Sequence, residues 1–189
     1  MKIAVLGAAG LTALVLSPAA FAHAIVSPPV AKSKVLQQFT LSVPTEESGT
    51  TTAEIELTVP SGFAIDSFEP SPGWKRSQQA TGSGEEAVIQ KVTWTGGSVP
   101  TGEDAVFRFN ASLTSNKTYV FDVRQTYANG KVVDWNGSES SDTPTPRVES
   151  VSSLGGGGTT TLTIITLVLA VVALVLGIVG LVARGRPLA

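Results

Sequence analysis

The 189-residue chain has no cysteine, one histidine and one methionine, which is Met1. Without cysteine there is no disulfide, no thiolate nucleophile and no thiolate metal ligand. A cysteine protease, a three-histidine zinc site and a histidine-rich metallohydrolase are excluded on the same count. With Met1 set aside, the chain offers none of the soft sulfur ligands that Cu(I) prefers. Charge is also sparse, at 15% of residues. Of the 13 Lys and Arg residues, Lys2, Arg184 and Arg186 lie at the ends, leaving ten against 15 acids between residues 23 and 158. A net charge of about −5 without a basic run argues against a nucleic-acid partner. The glycine run "LGGGGTTT" has no lysine and no strand–helix setting, so it is no phosphate loop.

The hydrophobic residues fall into two end segments and a patterned middle. Residues 1–22 have a basic start at Lys2, an apolar stretch and Ala20-Phe21-Ala22 before His23, the arrangement of a cleaved export signal. Residues 162–183, "LTIITLVLAVVALVLGIVGLVA", are uncharged throughout. As a helix they reach about 33 Å, enough to cross a bilayer core of about 30 Å. Arg184 and Arg186 follow at once and set residues 184–189 as a cytoplasmic tail. The Pro, Ser, Gly and Thr content of 143–161 reads as a flexible stalk. The expected layout is thus a signal (1–22), an outside domain (23–142), the stalk, one membrane span and the tail.

The outside domain reads as all-β. Period-2 alternation marks 35–43, 53–59, 63–70, 86–94, 105–113 and 118–127. The last places Tyr119, Phe121, Val123, Gln125 and Tyr127 on one face. Asn129-Gly130 then predicts a tight hairpin into "KVVDW", 131–135. Six to eight short strands argue for an antiparallel sandwich, and a core of about 120 residues can fold without disulfides.

Most enzyme templates lack their residues. A Ser-His-Asp triad would need His23 as its base, without a G-x-S-x-G context and at a chain end that holds a base poorly. The pairs Glu46-Glu47 and Glu85-Glu86 fall in predicted loops and read as solvated. Asn110, Asn116 and Asn136 begin glycosylation sequons, which are common by chance. His23 stands apart from these. Cleavage after Ala22 gives it two nitrogens, the α-amine and ring Nδ1, which together close a six-membered chelate suited to Cu(II). Uncleaved, it is a lone imidazole near the start of a domain. Of the three tryptophans, Trp94 reads as core, Trp74 as a loop cap, and Trp135 as an edge residue that either packs or shields a bound cation.

The stretches "HAIVSPP", "FTLSVP", "FEPSPGWK", "VTWTGG", "FDVRQTYANGKVVDWNG" and "DTPTP", with the two hydrophobic ends, resemble the YcnI-like bacterial copper-binding proteins. The resemblance covers about residues 23–147. It implies a β-sandwich of cupredoxin-like or immunoglobulin-like character that binds one Cu(II) through a brace made by the N-terminal histidine alone. Carried over, the brace is His23, the tryptophan beside the metal is Trp135, and the acidic neighbour falls at Gln37, a departure that removes the charge. The implied partners are copper-transport or copper-chaperone proteins of the membrane. Two other readings stay open: an immunoglobulin-like interaction module on a stalk, and a copper mono-oxygenase, which needs a second histidine that this chain lacks.

Overall fold

The computed structural model describes residues 22–84, 87–155 and 161–184. The expected signal up to residue 21, the Glu85-Glu86 pair, residues 156–160 and the tail beyond Arg184 lie outside the described residues. Twelve strands come first: β1 (Ile25–Ser27), β2 (Val30–Lys32), β3 (Gln37–Pro44), β4 (Thr51–Thr58), β5 (Phe63–Phe68), β6 (Lys75–Thr81), β7 (Val88–Pro100), β8 (Asp104–Leu113), β9 (Thr118–Val120), β10 (Asp122–Tyr127), β11 (Val132–Trp135) and β12 (Arg147–Val151). One helix follows, α1 (Thr161–Arg184).

The strands form sheets of order β1-β3-β8-β5, β11-β10-β4-β7-β6 and β2-β12-β9. All pairings are antiparallel except β12 with β2, which run parallel. The alternation in the sequence explains which face turns inward. Phe39, Leu41 and Val43 of β3, Ile55 and Leu57 of β4, and Phe107 and Phe109 of β8 are all buried. Between the sheets Trp94 stacks on Phe107, with centroids 4.2 Å apart, and Phe63 meets Phe121 edge-on at 4.9 Å. Trp74 caps this core from its loop, edge-on to Phe107 at 5.0 Å. Gly97 lies against the indole, so closely that a Cβ there would fall 2.1 Å from the ring.

The expected hairpin is present. Gly130 takes φ of +85°, a left-handed conformation that suits glycine, and Asn129 Oδ1 accepts the N–H of Lys131 at 2.9 Å. Residues 118–127 keep one inward face, but they serve two sheets. The N–H of Phe121 is given to Pro146 O instead of to a ladder, and the chain there passes from the β12 sheet to the β4 sheet.

One expectation is corrected, and three strands lie outside the expected segments. Residues 143–161 are not all stalk, because β12 lies within them, pairs with both β2 and β9, and buries Val148 and Ser150. The flanking Pro and Ser composition hides an alternation only five residues long. β1 and β2 were not foreseen, and neither was β6, "KRSQQAT". It is exposed along its whole length as the edge partner of β7, so hydrophobic patterning leaves no trace of it.

α1 belongs to a separate compact unit, 153–189. Its stretch Thr163–Gly180 is long and apolar enough to cross a membrane.

A buried polar cluster crosses the sandwich at one end. Gln125, on the otherwise apolar face of β10, donates from Nε2 to Pro44 O at 2.9 Å and to Thr52 Oγ1 at 2.7 Å. Its Oε1 accepts the indole N–H of Trp135 at 3.0 Å. Thr52 and Thr45 share a further hydrogen bond of 2.7 Å. Gln125→Leu should therefore lower stability by about 2–4 kcal/mol, because it strands the Trp135 N–H and the Pro44 carbonyl in the core. Urea unfolding of residues 23–152 measures this, and a loss below about 0.5 kcal/mol would show that the amide is dispensable. Gly97→Ala should cost about 1–3 kcal/mol in the same assay, by forcing the Trp74 ring outward.

Candidate metal centre

His23 is exposed and stands one residue ahead of β1, separated from it by the buried Ala24; Val26 of β1 is also buried. β1 is an edge strand that pairs with β3 in the register Ile25↔Ser42, Val26↔Leu41. Continuing that register by two residues puts His23 level with Pro44, the residue whose carbonyl Gln125 holds. The chain beyond β3 therefore returns past the N-terminal segment. The N–H of Ala22 donates to Glu46 Oε1 at 2.8 Å. Removal of residues 1–22 would leave the free amine of His23 one residue from this carboxylate.

The loop that presents Glu46 is held from several sides. The Thr45 N–H donates to Glu103 O and the Gly102 N–H to Thr45 O, each at 2.9 Å. The Thr101 hydroxyl donates to Glu47 O, and Lys131 Nζ donates to Glu47 Oε2. That hydrogen bond raises the pKa of Lys131 above its ordinary value. Both partners are partly solvated, so the pair fixes geometry more than it adds stability.

On its other side His23 borders an open cavity of about 310 Å³, mostly apolar, with Val26, Pro29, Pro144 and the Glu139–Arg147 ion pair in its wall. The segment after Trp135 builds this wall. Gly137 bridges to Pro144, and the Gly137 N–H donates to Thr143 O at 2.9 Å.

The structure treats the three expected site residues differently. His23 is accessible. Trp135 is only 1% exposed, does not line the cavity beside His23, and commits its N–H to Gln125. It is joined to the His23 end of the fold through the Gln125–Pro44 link. Gln37 stands at the opposite end of β3 from Pro44, about 23 Å away at roughly 3.3 Å per residue. Its amide is used locally: Nε2 donates to Lys32 O at 2.7 Å, and Oε1 accepts the Lys32 N–H at 3.3 Å. The placement of Gln37 beside the histidine is therefore corrected, and the carboxylate found there is Glu46. The available signal was topological. If the first strand pairs antiparallel with β3, residues just after "FTLSVP" meet residues just before "AIV".

Among the described residues no group of three His, Asp or Glu side chains is arranged to hold a metal. A centre here would need the α-amine released by cleavage. Hard oxygen from Glu46 with imidazole and amine nitrogen is a donor set that suits Cu(II) and offers Cu(I) nothing soft.

Comparison with known proteins agrees with this picture at the level of family and fold. Over 128 residues the chain is 32% identical to the copper-binding protein CutI of Bacillus subtilis, covering 66% of this chain and 60% of that protein. The chain thus spans less than two-thirds of that relative's length. A solved protein from Nocardia farcinica, described as having an immunoglobulin-like fold, is 27% identical with a TM-score of 0.59. The match covers 68% of this chain and 98% of that one, and it resolves the expected sandwich toward the immunoglobulin-like form. The model of a family described as a domain of unknown function, DUF1775, matches residues 23–150, from the histidine into β12, and the chain belongs to that family.

Proposed function

We propose that the protein is a membrane-anchored, extracytoplasmic Cu(II)-binding protein that handles copper without catalysing a reaction on it. The observation that carries this reading is the Glu46 carboxylate, held by its loop against the peptide group that precedes an exposed His23. The likeness to a protein named for copper binding supports it. After cleavage, the amine and Nδ1 of His23 would hold one Cu(II), and Glu46 would supply the negative charge that the expectation at Gln37 lacked. Trp135 acts from below: its indole fixes Gln125, which fixes Pro44 and with it the strand end that carries the histidine. Copper-transport or copper-chaperone proteins of the membrane are the partners that this role calls for. α1 supplies a single-pass anchor with the domain outside, since Arg184 closes the apolar run.

Titration of the ectodomain bearing a native His23 amine should show one Cu(II) bound. His23→Ala, or one extra residue ahead of His23, should abolish tight binding, and unchanged affinity in either protein would remove the brace. Acid should also weaken the binding, because protons compete with the metal for both nitrogens. Glu46→Gln should weaken binding roughly tenfold, the order expected on losing one charge-assisted contact, whereas Gln37→Ala should leave it unchanged. Equal effects of those two substitutions would show that Glu46 is not a ligand.

A further inference from the structure

The end of the domain away from His23 has a composition of its own. Four segments meet there. Ser33 N–H donates to Val151 O at 2.9 Å, Lys34 N–H to Leu113 O at 2.7 Å, Thr114 N–H to Gly62 O at 2.9 Å, and Lys117 Nζ to Ser61 O at 2.8 Å. Residues 32–36, 60–62, 114–118 and 152–154 contain Lys32, Lys34 and Lys117 and no acid, in a domain where acids outnumber bases. Neither Lys32 nor Lys34 has an ion-pair partner among the described residues. Between them and β3 two adjacent apolar side chains face solvent: Val35 is 40% exposed and Leu36 56%. Leu154, just past β12, is 58% exposed. The opposite end, by contrast, gathers Glu46, Glu47, Glu103 and Asp104 around Pro44 and Thr45.

We infer that the Lys32–Leu36 loop, with Lys117 and Leu154, is a surface that rests on the anionic headgroups of the bilayer in which the protein is anchored. The inference rests on reading α1 as that anchor. The occupant follows from where the chain leaves the domain. β12 ends at Val151, hydrogen-bonded to Ser33, and nine residues (152–160) separate it from the first residue of α1. Nine residues reach at most about 32 Å, so an anchored α1 would tie the chain to the membrane at the end that carries the lysines and not at the acidic end. Lysine and exposed leucine suit that surface together. The ammonium groups meet lipid phosphates, and the short apolar side chains enter the headgroup layer. A domain of net negative charge would otherwise be repelled by an anionic membrane; segregating its charges removes the repulsion at one end and leaves the acidic end, with His23, facing away.

The absence of native cysteine makes the test direct. The full chain is reconstituted into vesicles of phosphatidylglycerol and phosphatidylcholine with a fluorophore on Leu36→Cys or, as control, on Ser48→Cys in the loop at the acidic end. Quenching by lipids carrying a shallow nitroxide is then read. The Leu36 label should be quenched and the Ser48 label spared. The Leu36 signal should fall in neutral vesicles and at high salt, and by roughly fivefold in surface-bound population for each of Lys32→Gln and Lys34→Gln. Vesicle flotation separates the two possible failures. A chain that does not float with vesicles overturns the anchor itself, whereas one that floats with the Leu36 label unquenched, or quenched no more than Ser48, overturns the surface. A Leu36 signal indifferent to lipid charge and to both lysine variants also overturns it.

Discussion

The side-chain amide of Gln125 is the constraint on which the His23 end of the molecule depends. It sits at 0% exposure on a face whose other members are Tyr119, Phe121, Val123 and Tyr127. An amide there is tolerable only if its donors and acceptor are all used, and they are: two donors go to Pro44 and Thr52, and the acceptor takes Trp135. The bonds to Thr52 and Trp135 stay within one sheet, while the bond to Pro44 reaches the other. One residue thus pins β3, β4 and β11 to a common point. Hydrophobic packing can slide or repack at small cost, but hydrogen-bond geometry cannot. That difference gives this end a fixed position for Pro44, for the histidine level with it and for the Glu46 loop that follows.

Much of the fold was legible in the sequence because half-buried strands announce themselves by alternation. β3, β4, β5, β8, β10 and β11 fall on expected segments, β7 starts on one and runs six residues past it, and β1 and β2 fall on none; Asn129-Gly130 marks its turn by chemistry that few other dipeptides share. The misses have physical causes. β6 is exposed throughout and its inward contact is made by Arg76 lying over the Phe68 ring, so it needs no apolar residues and leaves no pattern. β12 is five residues long and inward at only Val148 and Ser150, too little to stand out from its proline- and serine-rich surroundings. Gln125 was visible as a polar residue on an apolar face, but its partners lie 81 and 73 positions away for Pro44 and Thr52, and pattern alone does not identify them.

The site was half legible. His23 could be singled out from composition, since a chain with one histidine and no cysteine has few other candidates. The acidic neighbour could not be found by counting along an alignment, because its position depends on which strand β1 joins. Gln37 and Glu46 lie nine residues apart and flank the two ends of one strand. Only the antiparallel pairing of β1 with β3 decides which of those ends meets the histidine. Proximity created by topology is the part of a site that local sequence conveys least.

β12 has a mechanical consequence. It begins beside the Pro144–Pro146 wall of the His23 cavity and ends where the chain leaves the domain, so it runs from the candidate centre to that exit. A pull applied between the His23 end of the domain and the chain that leaves it after Val151 would act along this strand. It meets pairing on both sides, three positions with β2 and three with β9. Load in that direction shears the two ladders together and does not peel them one bond at a time. A short, polar-looking strand at the C-terminal end of the fold thereby resists such a pull with two ladders at once.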